Sequence, residues 1–212
     1  MSKLSTIPKS KQELQFYSYF DGKFLDCSYK TLHCGLPILD ENDEILPDYL
    51  ELESINFSRN GCCAQIDILP PKLKYLDCSN NSIERLDALP ASLEFLNCSH
   101  NPYIEQLDNL PQNLKYLNCT NNNIRYLDFL PYNLLFLYCG GNKIKHLYNL
   151  PPNLLLLDTT NYSNYGNIAL DPEANKRIKY VNTPTTQINV SLTNNVIYNW
   201  KTGKILFYLD YL

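Results

Sequence analysis

The chain is poor in glycine, with 7 in 212 residues, and has 3 histidines, 1 tryptophan and 1 methionine. With so few glycines there is little material for a phosphate-cradling loop, and no nucleophile elbow or metal triad can be read. His33, His100 and His146 fall at different offsets of the pattern described below, and none has a spaced Ser or Cys partner. An enzyme is therefore not expected, nor is a cofactor. No run approaches the ~18 apolar residues that a membrane-crossing helix needs. Met1 to Gln15 is polar, with Lys3, Lys9 and Lys11 and no apolar core of a secretory leader. Positive charge is not in excess: the formal net charge is −4. Duplex nucleic acid and anionic membranes thus find no electrostatic footprint. A cytoplasmic protein, of the producing or a host cell, is the expectation.

What is present is one phrase said repeatedly. Leu-Pro recurs at Leu69-Pro70, Leu89-Pro90, Leu110-Pro111, Leu130-Pro131 and Leu150-Pro151, at steps of 20, 21, 20 and 20 residues. Leu73, Leu76, Cys78, Asn81, Ile83 and Leu86 return as Leu93, Leu96, Cys98, Asn101, Ile104 and Leu107. Two further copies carry Cys119 with Asn122 and Cys139 with Asn142. A fixed period in the twenties with apolar residues at fixed offsets is the signature of a solenoid, because no single unit can bury its apolar face alone. Alternation along a short strand sends Leu76 and Cys78 inward and Tyr75 and Asp77 outward. The return path through Ile83 and Leu86 is too short for a helical period, so it should be extended, polyproline-like or 3₁₀, with proline fixing each re-entry.

The 8 cysteines of the chain raise disulfide and zinc readings. Cys27, Cys78, Cys98, Cys119 and Cys139 share the inward slot and act there as small hydrophobes. Cys34, Cys62 and Cys63, with His33, lack the spacing of a tetrahedral zinc site. A reducing compartment fits this usage. The strand-end Asn (Asn60, Asn81, Asn101, Asn122, Asn142) should turn inward and satisfy backbone groups that the bend leaves unpaired.

The form L-x-x-L-x-C-x-x-N-x-I-x-x-L resembles the leucine-rich repeat (LRR) family. The unit of 20 to 21 residues with its Leu-Pro is similar to the short class in secreted effectors of pathogenic bacteria, and to arrays of giant DNA viruses and amoebae. The resemblance runs from about Leu46 to Ile188. It departs from the effectors in placing Cys where they favour an aliphatic residue, and in lacking a domain that resembles a ubiquitin ligase. It implies a β-rich solenoid, a right-handed horseshoe or arc with a parallel sheet on its concave face.

The expected organisation is a lead over residues 1–15, the solenoid over 16–188 and a C-terminal cap hairpin over 189–212. Within the solenoid, residues 16–36 form an N-terminal cap with a degenerate first repeat, and 46–188 the main array. Asp21-Gly22 marks the first hairpin, Asp40 to Glu44 an acidic insertion, and Lys201 to Lys204 the last turn. Val196 to Trp200 and Ile205 to Tyr211 flank that turn, with Trp200 over the last repeat. Core slots are Cys27, Phe57, Cys78, Cys98, Cys119, Cys139, Thr159 and Thr183, about eight turns of a period-twenty array.

Function is expected in the unlike residues between the repeated ones. One outward column reads Phe24, Ser54, Tyr75, Phe95, Tyr116, Phe136, Leu156, Tyr180; the next reads Asp26, Asn56, Asp77, Asn97, Asn118, Tyr138, Asp158, Asn182. An aromatic stripe beside a polar one suits a protein partner. The candidate partner-binding residues are Tyr75, Asp77, Phe95, Asn97, Tyr116, Asn118, Phe136, Tyr138, Asp158 and Tyr180, with Tyr116, Phe136 and Tyr138 central. The alternative for the rings is packing on one another along the sheet. The alternative function is single-stranded nucleic-acid binding on the rings with Lys74, Lys115 and Lys179, against which Asp77, Glu94 and Asp158 stand.

Overall fold

The computed structural model describes residues 20–30, 44–61, 66, 68–159, 169–170, 178, 180–182, 196–199 and 204–207. Each turn contributes one strand of 3 residues: β2 (Phe24–Asp26), β3 (Ser54–Asn56), β4 (Tyr75–Asp77), β5 (Phe95–Asn97), β6 (Tyr116–Asn118) and β7 (Phe136–Tyr138). After a two-residue strand β8 (His146–Leu147) on the return path, β9 (Leu156–Asp158) continues the series. The last members described are β10 (Ala169–Leu170), again on the return path, and β11 (Tyr180–Asn182). Preceded by β1 (Phe20–Asp21), the strands make one 9-stranded sheet in the order β1-β2-β3-β4-β5-β6-β7-β9-β11. Every pairing after β1–β2 is parallel. The leucine-rich repeat solenoid that the sequence implies is the fold.

Register follows from the period. Because equivalent residues pair across every step, the middle residue of each strand points inward throughout. Leu76, Leu96, Leu117, Leu137 and Leu157 are all 0 % exposed, as are Cys78, Cys98, Cys119 and Cys139 in the next inward slot. Ile83, Ile104 and Ile124 close the core from the return side, also at 0 %. Fully burying one such side chain is worth roughly 1.5–3 kcal/mol, and each has as its neighbours the same residue one turn away. Thr159 fills the cysteine slot of β9, 2 % exposed; Thr183 lies outside the described residues.

The Leu-Pro pairs set the re-entry to each strand. Leu73, Leu93, Leu114, Leu134 and Leu154 each donate a backbone N–H to the carbonyl of the proline three residues earlier, at 3.0–3.1 Å. That i to i+3 bond closes a β-turn at the same place in every repeat. Where Leu46-Pro47 is followed by two extra residues, the chain makes a short helix, α1 (Pro47–Leu50), with proline at its first turn. Its Tyr49 is 0 % exposed and donates its hydroxyl to the Ile68 carbonyl.

The asparagine ladder is built as the bend requires. Asn101 Nδ2 donates to the Cys98 carbonyl at 3.0 Å and to the Cys78 carbonyl of the previous turn at 3.1 Å. Its Oδ1 accepts from Ile83 N at 3.0 Å. Asn60, Asn81 and Asn142 repeat the bonds to their own and the preceding turn. One residue earlier runs a column in the left-handed region: Tyr29 (φ 56), Arg59 (59), Asn80 (55), His100 (57), Asn121 (55) and Gly141 (70). For a residue with a Cβ that conformation costs roughly 1–2 kcal/mol, so the turn is held by the bonds around it.

The ends carry hairpins. At the first, Asp21 pairs with Phe24, so the two-residue turn is Gly22-Lys23 rather than the expected Asp21-Gly22. Gly22 has φ +63 and supplies the positive dihedral that a type II′ turn needs at its first central position. The last is β12 (Val196–Asn199) paired antiparallel with β13 (Lys204–Phe207), a sheet of its own. The acidic insertion up to Asp43, and Trp200, lie outside the described residues.

Candidate functional site

The outward columns fall where alternation places them. Ser54, Tyr75, Phe95, Tyr116, Phe136, Leu156 and Tyr180 are successive register partners, and so are Asn56, Asp77, Asn97, Asn118, Tyr138, Asp158 and Asn182. The ten candidate residues therefore lie in two adjoining columns of one sheet face.

The rings pack on one another. Tyr75 and Phe95 stack with centroids 4.4 Å apart, and Phe95 and Tyr116 at 4.2 Å with planes 6° apart. Those spacings are a little under the ~4.8 Å between neighbouring strands, as stacking along a sheet requires. Phe95, Tyr116, Phe136 and Leu156 form a second apolar cluster, 6 %, 9 %, 6 % and 6 % exposed, with Tyr75, Leu135 and Tyr138 packed against it. Burial pushes the Tyr116 hydroxyl well above its ordinary range. Two of the three central candidates, Tyr116 and Phe136, are thus floor rather than rim, and the packing alternative describes their immediate surroundings. Tyr138 is half-buried, its hydroxyl pushed up to about 12 by burial and then by the Asp158 carboxylate.

The polar column has a local task that sequence reasoning missed. Asn97 Oδ1 accepts from Ser99 N at 3.2 Å and from Ser99 Oγ at 2.8 Å. Asp26 with Ser28, Asn56 with Ser58 and Asn118 with Thr120 make the same pair of bonds. Asp77 accepts from Ser79 N and, through Oδ2, from Asn97 Nδ2 at 3.1 Å. Each is an Asx turn that ends its strand. The visible signal was D/N-x-S/T directly after the strand, repeated at the period.

A third outward column lies just before the strands, of which sequence reasoning takes up only Lys74, Glu94 and Lys115: Lys23, Glu53, Lys74, Glu94, Lys115, Leu135, Leu155. Its charges alternate and pair along the sheet. Glu53 takes Lys23 on one side and Lys74 at 2.8 Å on the other, and Lys115 bonds Glu94 at 2.6 Å. The hydrogen bonds from Lys23 and Lys74 hold the Glu53 carboxyl below its usual value, and Glu53 raises Lys74 in turn. These exposed pairs are each worth about 0–1 kcal/mol. Their larger consequence is that Lys74 and Lys115 are charge-compensated, so the stripe of the nucleic-acid alternative has no net positive charge there; its third lysine, Lys179, lies outside the described residues.

At β7 two of the three outward columns change together, while the aromatic column keeps Phe136 and changes to Leu156 one turn later. Leu135 and Leu155 replace the charges, Tyr138 replaces the Asx residue, and Gly140 stands where Ser or Thr completed the Asx turn. Tyr138 leans toward Tyr116, with ring centroids 5.4 Å apart, while Tyr116 and Phe136 separate to 6.5 Å. Leu155 is 39 % exposed. An apolar patch of Leu135, Tyr138 and Leu155 thus interrupts a polar face.

Chemistry of other kinds finds little footing among the described residues. No group of His, Cys, Asp and Glu there is arranged to hold a metal ion. Cys27, Cys78, Cys98, Cys119 and Cys139 are free and buried, and desolvation pushes Cys27 and Cys98 to about 12 and the others up as well. Such thiols hold no thiolate near neutrality and are not nucleophiles. No helix described is long and apolar enough to cross a membrane.

Residues 71–112 match the family of leucine-rich repeats, in two copies. Among solved structures the chain is similar to YopM from Yersinia enterocolitica WA-314, with 36 % identity and a TM-score of 0.48, over 60 % of this chain and 26 % of that one. The chain therefore spans about a quarter of that relative's length. It is also similar to a Shigella effector LRR domain, with 20 % identity and a TM-score of 0.49, over 84 % of this chain and 92 % of that one. No curated protein matches.

Proposed function

We propose that this leucine-rich repeat protein is a non-catalytic scaffold that binds a protein partner through the outer face of its sheet, centred on the apolar break at β7 and β9. The fold is in general one of interaction scaffolds. The observation that carries the finer reading is the joint change at Leu135 and Tyr138, continued at Leu155 one turn later, in columns otherwise closed by their own hydrogen bonds and ion pairs. An apolar patch rimmed by polar residues is the usual anatomy of an interface core. Tyr138 supplies the aromatic anchor, over a floor of Tyr116, Phe136 and Leu156 that is already packed and needs no ordering on binding. Asp158, Asn118, Asn97 and Asp77 form the polar flank, with Tyr75 and Phe95 extending the floor toward the N-terminal side. In the same reading the hairpins close the ends of the array.

Placing a photo-crosslinking residue at position 155, and as a control at Glu84 on the return path, tests this in the cell where the protein acts. The expected outcome is one discrete protein adduct from position 155 and none from 84, lost on Tyr138→Ala with unchanged melting. Equal labelling from both positions, or an adduct indifferent to Tyr138→Ala, refutes the assignment.

A further inference from the structure

The return path of the turns after β6 and β7 opens a cavity of about 590 Å³. Arg125, Lys143, Lys145 and His146 line it, together with Tyr126, Tyr148 and Asp128. We infer that this cavity is a binding site for a nucleoside phosphate, distinct from the sheet face.

Comparison along the repeat shows that the site is peculiar to these turns. The position after the core isoleucine reads Glu84, Glu105, Arg125, Lys145, and the next reads Arg85, Gln106, Tyr126, His146. The position after the following leucine reads Asp87, Asp108, Asp128, Tyr148. Acidic turns give way to cationic and aromatic ones within a single step, and the cavity lies at that step. Earlier cations are compensated, Arg85 by Asp87 at 2.7 Å and Lys74 by Glu53 at 2.8 Å. Arg125 keeps only a long contact of 3.8 Å to Glu105, and Lys143 and Lys145 make no ion pair among the described residues.

The walls are fixed. Lys143 N donates to the Ile124 carbonyl at 2.8 Å, and Asn123 N to the Ile104 carbonyl at 2.9 Å. His146 belongs to β8, which pairs with β10, the one strand pairing of the return path among the described residues. The His146 and Tyr148 rings stack at 5.3 Å and 13°, with the Tyr148 hydroxyl 3.1 Å from His146 Nδ1.

The ligand follows from this chemistry. A planar guanidinium and two ammonium groups suit phosphate oxygens. Tyr126 and Tyr148, 70 % and 54 % exposed, present ring faces on which a base can stack. Asp128 supplies an acceptor for a sugar hydroxyl or an exocyclic amine, and would only repel a bare inorganic anion. The volume lies within the roughly 300–1,000 Å³ of small-molecule sites, so a mononucleotide fits better than a polymer groove.

The test is calorimetric titration of the full chain at low salt with the four nucleoside 5′-monophosphates, adenosine, inorganic phosphate and a short single-stranded oligonucleotide. At least one monophosphate should bind about tenfold or more tighter than adenosine or phosphate. The pair Lys143→Gln and Lys145→Gln should weaken it by about tenfold with unchanged melting, Tyr148→Leu should weaken the monophosphate but not phosphate, and Lys72→Gln should change nothing. The inference is overturned if phosphate alone binds as tightly, if the lysine pair has no effect, or if only the oligonucleotide is captured.

Discussion

The turns of β4 to β6 and that of β7 share inward residues and differ outward, while the turn of β9 keeps Leu154 and Leu157 inside but puts Thr159 in the cysteine slot. In the first group Asp77, Asn97 and Asn118 end their strands as Asx turns and Lys74, Glu94 and Lys115 alternate in sign, so the face consumes its own polar groups. In the second, Leu135, Tyr138 and Leu155 leave the face apolar, while Asn142 and Cys139 continue the ladder inside. A solenoid can thus change its surface at one step without changing its core. Inward columns carry stability, and the departure of several outward columns at one turn marks where the surface has another use.

The inward sameness can be broken most forcefully at the asparagines. Asn101→Ala strands the Ile83 N–H and leaves the Cys78 and Cys98 carbonyls with one donor each, Asn81 and Asn122, whereas Asn142→Ala strands the Ile124 N–H with the carbonyls of Cys119 and Cys139. With about 1–3 kcal/mol for an unsatisfied buried group, Asn101→Ala should lose roughly 1–3 kcal/mol and Asn142→Ala roughly 3 kcal/mol or more in urea melts. The loss should be the larger at Asn142. If Asn142→Ala costs far less, the second group is looser inside as well as different outside.

Alkali tests both groups at once. Burial raises the folded-state thiols above their ordinary value of 9.0, to about 12 for Cys27 and Cys98, and raises Cys119 and Cys139 as well. Between those limits the unfolded chain has released protons that the folded chain keeps, so the unfolded state binds fewer and stability falls as pH rises. Each thiol contributes a slope of up to about 1.4 kcal/mol per pH unit. The stability measured by urea should be flat in this respect below pH 9 and fall steeply toward 12, with Cys98→Ala and Cys139→Ala each flattening the fall to a similar degree. The five buried thiols, Cys27, Cys78, Cys98, Cys119 and Cys139, should also resist iodoacetamide at neutral pH.

The left-handed column gives a smaller contrast. His100 (φ 57) accepts a strain that Gly141 (φ 70) avoids. His100→Gly should raise stability by about 1 kcal/mol, read as a higher melting temperature. Gly141→Ala should lower it by a similar amount or more, because the new Cβ meets Asn121 Oδ1 at 2.1 Å.

How far these features were legible depends on whether the pattern or its context specifies them. Period and alternation placed the sheet strands β2 to β7, β9 and β11, the buried cysteines and the asparagine ladder, since each repeats one physical constraint, but not the return-path strands β8 and β10. The outward columns were legible in position but not in role. That Asn97 serves Ser99 needs the strand to end there, and that Tyr116 is buried follows from ring stacking at strand spacing, which a list of outward residues does not reveal. The pairing along the column before the strands, beyond the charges of Lys74, Glu94 and Lys115, and the cationic return face were not legible from the strand triplets, because both lie outside them. Both become visible when each repeat position is read down the array for changes of charge.

The smallest expected effect on stability is also the sharpest test of the proposed interface. Tyr138→Asn with Gly140→Ser rewrites the seventh strand in the chemistry of the fifth, where Asn97 Oδ1 takes both Ser99 N and Ser99 Oγ. The pair loses the contact of Tyr138 with Tyr116 and gains an Asx turn, so melting should move by no more than about 0.5 kcal/mol in free energy. The floor of Phe95, Phe136 and Leu156 stays, and so do Leu135 and Leu155. If Tyr138 is the anchor, capture of the partner found by crosslinking should fall by about tenfold or more in this well-folded variant. If capture persists, the change of columns at β7 is a variation in packing, and binding must be sought elsewhere on the array.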